Sequence, residues 1–111
     1  MDHYIIWFNL KESEKGLSFA KDLKSYLDHL KGKSLISNYR LWRRKLGFSP
    51  NEMTDFMIDI EYEDLTQLDK AFQEVIKGDE VIKSLHRNVY SKVKDFKSAL
   101  YRDYPDEIES L

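Results

Sequence analysis

Residues Tyr4–Leu10, YIIWFNL, constrain the fold more than any other stretch of the chain. They are β-branched and aromatic, and both alternating faces are apolar. Tyr4, Ile6, Phe8 and Leu10 share one face; Ile5 and Trp7 share the other, with Asn9 as its polar exception. A strand that is apolar on both sides belongs in the middle of a sheet, with cover above and below. The chain must therefore build strands on either side of its own N-terminal segment.

From Leu17 the period becomes helical. Phe19, Ala20, Leu23, Tyr26, Leu27 and Leu30 fall on one stripe, and Gly32 reads as the C-terminal stop. Leu35–Leu46 suits a strand through Ile36, Tyr39, Leu41 and Trp42, and its Arg and Lys residues mark it as a guarded edge. Gly47–Glu52 is a turn by composition. Asp55–Tyr62 alternates cleanly, with Phe56, Ile58, Ile60 and Tyr62 on one face and Met57, Asp59 and Glu61 on the other. Asp64 with Gln67 has the spacing of a helix-capping pair. Leu65, Leu68, Ala71, Phe72, Val75 and Ile76 form a second helical stripe. Gly78-Asp79 interrupts it, and Val81, Ile82, Leu85, Val89 and Val93 form a third. Phe96–Tyr101 is the last strand, and Pro105–Leu111 is an acidic tail expected to be loose.

The order β-α-β-β-α-β in a single domain spanning residues 1–111 predicts an α+β, ferredoxin-like fold. That fold is a four-stranded antiparallel sheet of order 4-1-3-2 with its helices on one face. The helices cannot cover the second face, where Ile5, Trp7 and Met57 form an apolar patch. Such surface costs about 25 cal/mol per Å² in water, so a second copy across a two-fold axis is expected to cover it.

Element order, element lengths and the aromatic first strand resemble the dimeric α+β-barrel superfamily over Tyr4 to Tyr104. Within that group the chain is similar to small uncharacterised proteins known mainly from marine and environmental sequences. The resemblance implies two ferredoxin-like sheets packed face to face as a homodimer. Some members of the superfamily are cofactor-free monooxygenases and others cleave haem. The haem-cleaving kind uses an Asn on the first strand, a Trp and a helical His. Asn9, Trp42 and His86 are the residues here that the resemblance would assign to catalysis, although Trp42 stands on the second strand rather than the third and His86 follows a different local sequence.

Composition narrows the functions. Eighteen Lys and Arg against twenty Asp and Glu give a net charge of −2, so no general positive field holds nucleic acid. RNA-recognition domains share this fold, but their third strand is basic and aromatic, whereas Asp55–Tyr62 is acidic on its open face. The chain has no Cys, which removes thiolate metal sites and cysteine nucleophiles and fits a reducing cytoplasm. No apolar run approaches membrane-spanning length, and Met1-Asp2-His3 lacks a secretory signal's basic start. A cytoplasmic protein without membrane or nucleic-acid partners is expected.

The leading functional expectation is a small apolar or amphipathic ligand, such as an acyl or aromatic acid, in an aromatic-lined cavity. Trp7, Tyr39, Trp42, Met57 and Phe96 would supply its walls, and Arg40 or Asn9 would fix a polar end. Equally, these aromatics can simply fill the core and the dimer seam. The alternatives are an oxygenase or haem-degrading enzyme, with haem as the cofactor in the second case, and a structural or regulatory dimer without ligand. Whether the chain is an enzyme is left open. No metal site is expected: His3, Asp59 and Glu61 can meet only if the N-terminus lies on the sheet, and Asp59 and Glu61 are expected to pair with Arg40, Arg43 or the partner. His3 and His29 are expected to be solvated.

Overall fold

The computed structural model describes residues 1–105; all but the first residue of the acidic tail lies outside them. The elements are β1 (Asp2–Leu10), α1 (Gly16–Gly32), β2 (Asn38–Arg43), β3 (Phe56–Tyr62), α2 (Leu65–Lys77), α3 (Glu80–Tyr90) and β4 (Val93–Arg102). The sheet order is β2-β3-β1-β4, with every neighbouring pair antiparallel. This is the expected ferredoxin-like sheet, with the two-sided apolar strand β1 beside β3 at its centre.

Alternation decides which face is covered. Ile6 and Phe8 of β1 and Phe56, Ile58, Ile60 and Tyr62 of β3 are buried beneath the helices. Phe19, Leu23, Tyr26, Leu27 and Leu30 of α1 pack onto them. At one end of this face Phe8 stacks on Phe56 at 5.4 Å, and Phe19 lies 5.3 Å from Phe8.

Several boundaries differ from expectation for local reasons. β2 is shorter than Leu35–Leu46. Ser34 takes a left-handed conformation, φ 60°, and turns Leu35 and Ile36 into the core before the strand begins. Gly32 is the last residue of α1, so the reversal expected there falls on Ser34. β4 starts at Val93, which therefore ends the third apolar stripe on a strand rather than on a helix.

The break at Gly78-Asp79 divides the second helical region into α2 and α3. A Cβ on Gly78 would sit 3.0 Å from the Glu74 carbonyl oxygen and 3.1 Å from that of Val75, so a side chain at this joint would press on two backbone carbonyls. Asp79 then caps α3, accepting from the Ile82 N–H at 2.8 Å. The Asp64–Gln67 pair caps α2. Asp64 accepts from the Gln67 N–H at 2.9 Å, while Gln67 Oε1 accepts from the Glu63 N–H at 2.7 Å. Gln67 Oε1 also accepts from the Ser37 hydroxyl, and its Nε2 donates to the Ser34 carbonyl, so the start of α2 is tied to the α1–β2 turn. The rest of α2 sits lightly: Ala71 is its only buried residue, and Ile76 is 79% exposed.

Candidate ligand site

A cavity of about 220 Å³ lies under α2 and α3. It occupies the end of the covered sheet face away from the Phe8–Phe56 stack. Tyr4 of β1 and Ile60 and Tyr62 of β3 form its floor, Tyr26 of α1 one wall, and Phe72 of α2 with His86 and Tyr90 of α3 the roof. The rings brace one another. Tyr4 meets Phe72 edge-on at 5.4 Å, His86 stacks on Tyr90 at 4.2 Å, and Tyr26 meets His86 edge-on at 5.7 Å.

The tyrosines set the chemistry. Tyr26 is 4% exposed and Tyr62 3%, yet neither hydroxyl has a hydrogen-bond partner among the described residues, and nor has that of Tyr90. These hydroxyls keep some accessible surface, unlike Nε2 of His29, so water or a ligand acceptor can reach them. Burial, followed by repulsion from neighbouring tyrosines, raises all three phenols, that of Tyr90 to about 12. They are neutral donors at physiological pH. Burial lowers the pKa of His86, so its ring is neutral as well. The cavity is thus lined by apolar walls, the four phenols of Tyr4, Tyr26, Tyr62 and Tyr90, and one neutral imidazole.

The expected site residues fall in three places. Trp7, Trp42 and Met57 gather on the open sheet face, in register across β1, β3 and β2. The Arg40 guanidinium lies 4.5 Å over the Trp42 ring. With Phe48, Pro50 and Met53 these residues border an open apolar cleft of about 430 Å³. Tyr39 faces the helix side instead, and its hydroxyl donates to Asp28 at 2.7 Å. Asn9 is structural: its Oδ1 accepts from the Asp55 N–H at 2.8 Å and its Nδ2 donates to Asp95 at 3.0 Å. Only Phe96 of the expected ligand-binding set reaches the tyrosine cavity. Asn9, Trp42 and His86 do not converge, because the sheet separates Trp42 from His86 and both polar ends of Asn9 are engaged. A cavity of about 220 Å³ is also smaller than the roughly 300–1,000 Å³ of drug-sized pockets, so haem does not fit it.

Sequence reasoning missed Tyr4, Tyr26, Tyr62, Phe72 and Tyr90 as a set. The available signal was tyrosine at positions of the apolar stripes where leucine or phenylalanine would pack as well.

The open face holds one further surprise. His3 is not solvated; its Nδ1 lies 3.0 Å from Asp59 and its Nε2 2.6 Å from Asp103. The ligand atoms of His3, Asp59 and Glu61 lie within 4.8 Å of one another. Desolvation lowers the His3 pKa, but hydrogen bonds and charge from Asp103 and Asp59 outweigh it and raise the pKa overall. Both carboxylates thus favour the protonated ring, and the Met1 ammonium also lies 3.6 Å from Asp103. Within the chain Asp59 pairs with His3 rather than with Arg40 or Arg43; Arg43 pairs with Asp55 at 3.3 Å. His29 is half-buried, and its Nε2 is buried without a partner.

A family model described as "Family of unknown function (DUF6614)" matches residues 1–110. The chain belongs to that family. No protein of curated function matches it. Solved structures share its fold. A DABB family protein with a ferredoxin-like fold from Mesorhizobium loti is 18% identical with a TM-score of 0.66, over 92% of this chain and 95% of that one. A dimeric ferredoxin-like protein of unknown function from Jannaschia sp. CCS1 is 8% identical with a TM-score of 0.65, over 92% and 98%. SnoaB, a cofactor-independent oxygenase from Streptomyces nogalater, is 7% identical with a TM-score of 0.68, over 95% and 97%. At these identities the likeness is one of fold. No helix of the described residues is long and apolar enough to cross a membrane.

Proposed function

We propose that this family member is a homodimer in which each copy binds a small, mostly apolar ligand in the tyrosine cavity. The observation that supports the reading is the pair of buried rings, Tyr26 and Tyr62, that line the cavity with hydroxyls meeting no acceptor in the protein. Two phenols that reach one cavity and meet no acceptor in the protein can hydrogen-bond a ligand acceptor that enters in place of water. The dimer rests on the open sheet face, where Ile5, Trp7, Met57 and Trp42 expose apolar surface that a second copy would cover. The structural relatives described as dimers support that arrangement.

The test is a thermal-shift screen with short acyl and aromatic compounds. A compound that raises the melting temperature of the wild type should raise it less in Tyr26→Phe. A panel with no shift at millimolar concentration would overturn the ligand. Light scattering that finds a monomer at micromolar concentration would overturn the dimer.

The fold shared with SnoaB favours a second reading, an oxygenase acting in the same cavity. His86, the one titratable group there besides the phenols, would be its acid–base residue, while Asn9 and Trp42 stand outside. Oxygen uptake on adding any compound found in the screen separates a binder from an enzyme.

A further inference from the structure

The tyrosine cavity adjoins a second hollow on the outer side of α2 and α3. Val75, His86 and Tyr90 line both the cavity and an outer groove of about 550 Å³. That groove adds Lys83, Arg87 and Ser91. Lys83 and Arg87 stand four residues apart on α3, so their side chains share one helix face. Neither forms an ion pair or hydrogen bond among the described residues. From groove to cavity, the order is therefore two free cations, a neutral imidazole and the inner phenols.

We propose that the ligand is an organic acid with an apolar body, its carboxylate at the outer groove on Lys83 and Arg87, and a hydrogen-bond acceptor at its inner end for Tyr26 and Tyr62. The proposal rests on the cavity being a ligand site and adds the ligand's charge and direction. Direction follows from where each group can be satisfied. A carboxylate at the inner end would be desolvated among phenols with no counter-ion, which is costly. At the groove it keeps water and meets two cations, one of which can grip it with a planar fork. A neutral acceptor such as a carbonyl suits the inner phenols, which meet no acceptor in the protein. A cationic ligand would be repelled at the entrance.

The experiment uses matched pairs that differ only in charge, followed by calorimetric titration of the whole chain. The pairs are 4-acetylbenzoate with its methyl ester, and decanoate with decanol. The acid of at least one pair is expected to bind about tenfold more tightly than its neutral partner, the effect of two partly exposed charge contacts. The preference should shrink with added salt and vanish in the Lys83→Gln, Arg87→Gln double variant, which should bind the neutral partner as the wild type does. Both residues are exposed, and a melting curve checks that the double variant folds. Acid and neutral partners that bind alike, or a preference that survives in the double variant, would overturn the proposal and leave the cavity reading standing. If neither member of either pair binds, the proposal falls. If the wider screen is silent too, the cavity reading falls with it.

Discussion

The two ends of the helix-covered sheet face are built from similar rings and behave differently. At one end Phe8, Phe19 and Phe56 close on one another with centroids 5.3 to 6.1 Å apart, and Phe19 has no exposed surface. At the other end Tyr4, Tyr26, Tyr62 and Tyr90 surround open space, and their cover, Phe72, is 40% exposed. The difference lies in the helix above. α1 buries five large side chains, whereas α2 buries one alanine. A short side chain at the closest approach keeps α2 against the sheet without filling the volume beneath it. The phenylalanine end holds the fold together, and the tyrosine end gives up packing for a chamber with donors in its walls.

The largest expected effect separates the ends directly. Phe19→Ala should destabilise the protein by about 3–5 kcal/mol, while Phe72→Ala, already partly in water, should cost about 1 kcal/mol or less. Equal losses in a denaturant titration would erase the contrast. Next comes the reciprocal swap of hydroxyls. Phe8→Tyr places an oxygen among apolar side chains in the closed end of the core and should cost about 1–3 kcal/mol. Tyr26→Phe removes an oxygen that has no partner, so stability without ligand should stay within about 1 kcal/mol or rise. A large loss in Tyr26→Phe would mean that its hydroxyl is already satisfied.

The smallest effect is in pH, and it sets the two faces of the sheet against each other. His86 has a lowered pKa in the folded chain, so the unfolded chain binds more protons just below the ordinary value of 6.5, and stability falls as the pH drops through that window. His3 has a raised pKa, so its contribution is full below 6.5 and is lost as the pH rises through the folded value. His86→Gln should flatten the acid side of the stability profile and His3→Gln the alkaline side. The same change from both variants would show that one of these assignments is wrong.

Much of the scaffold is legible in the residues themselves. The clean alternation of Phe56–Tyr62, the Asp64–Gln67 cap and the Gly78-Asp79 break each depend on local chemistry, and each stands where the pattern places it. The site was harder to read, for identifiable reasons. Tyr39 neighbours Arg40 on β2, so it faces the opposite side from Trp42, which two-residue periodicity alone could have shown. Phe96 follows Asp95, whose φ is 56°, beside a register shift opposite Trp7 and Asn9; that irregularity decides its face and leaves no mark in the periodicity. The cavity is a volume that no side chain fills, and a hydrophobic stripe reports which residues turn inward, not how completely they meet. His3 was misjudged because its partners Asp59 and Asp103 are distant in sequence and come together only through β1, β3 and the chain beyond β4.

The anchoring of α2 is lopsided, with Gln67 knotted to the neighbouring turn at its start and a bare glycine joint at its finish. Bulk added or trimmed along the midsection, at Phe72 or Val75, can therefore change the volume of the chamber while the sheet beneath keeps its register. A scaffold built this way can be hollowed or filled at one end without having to relearn how to fold.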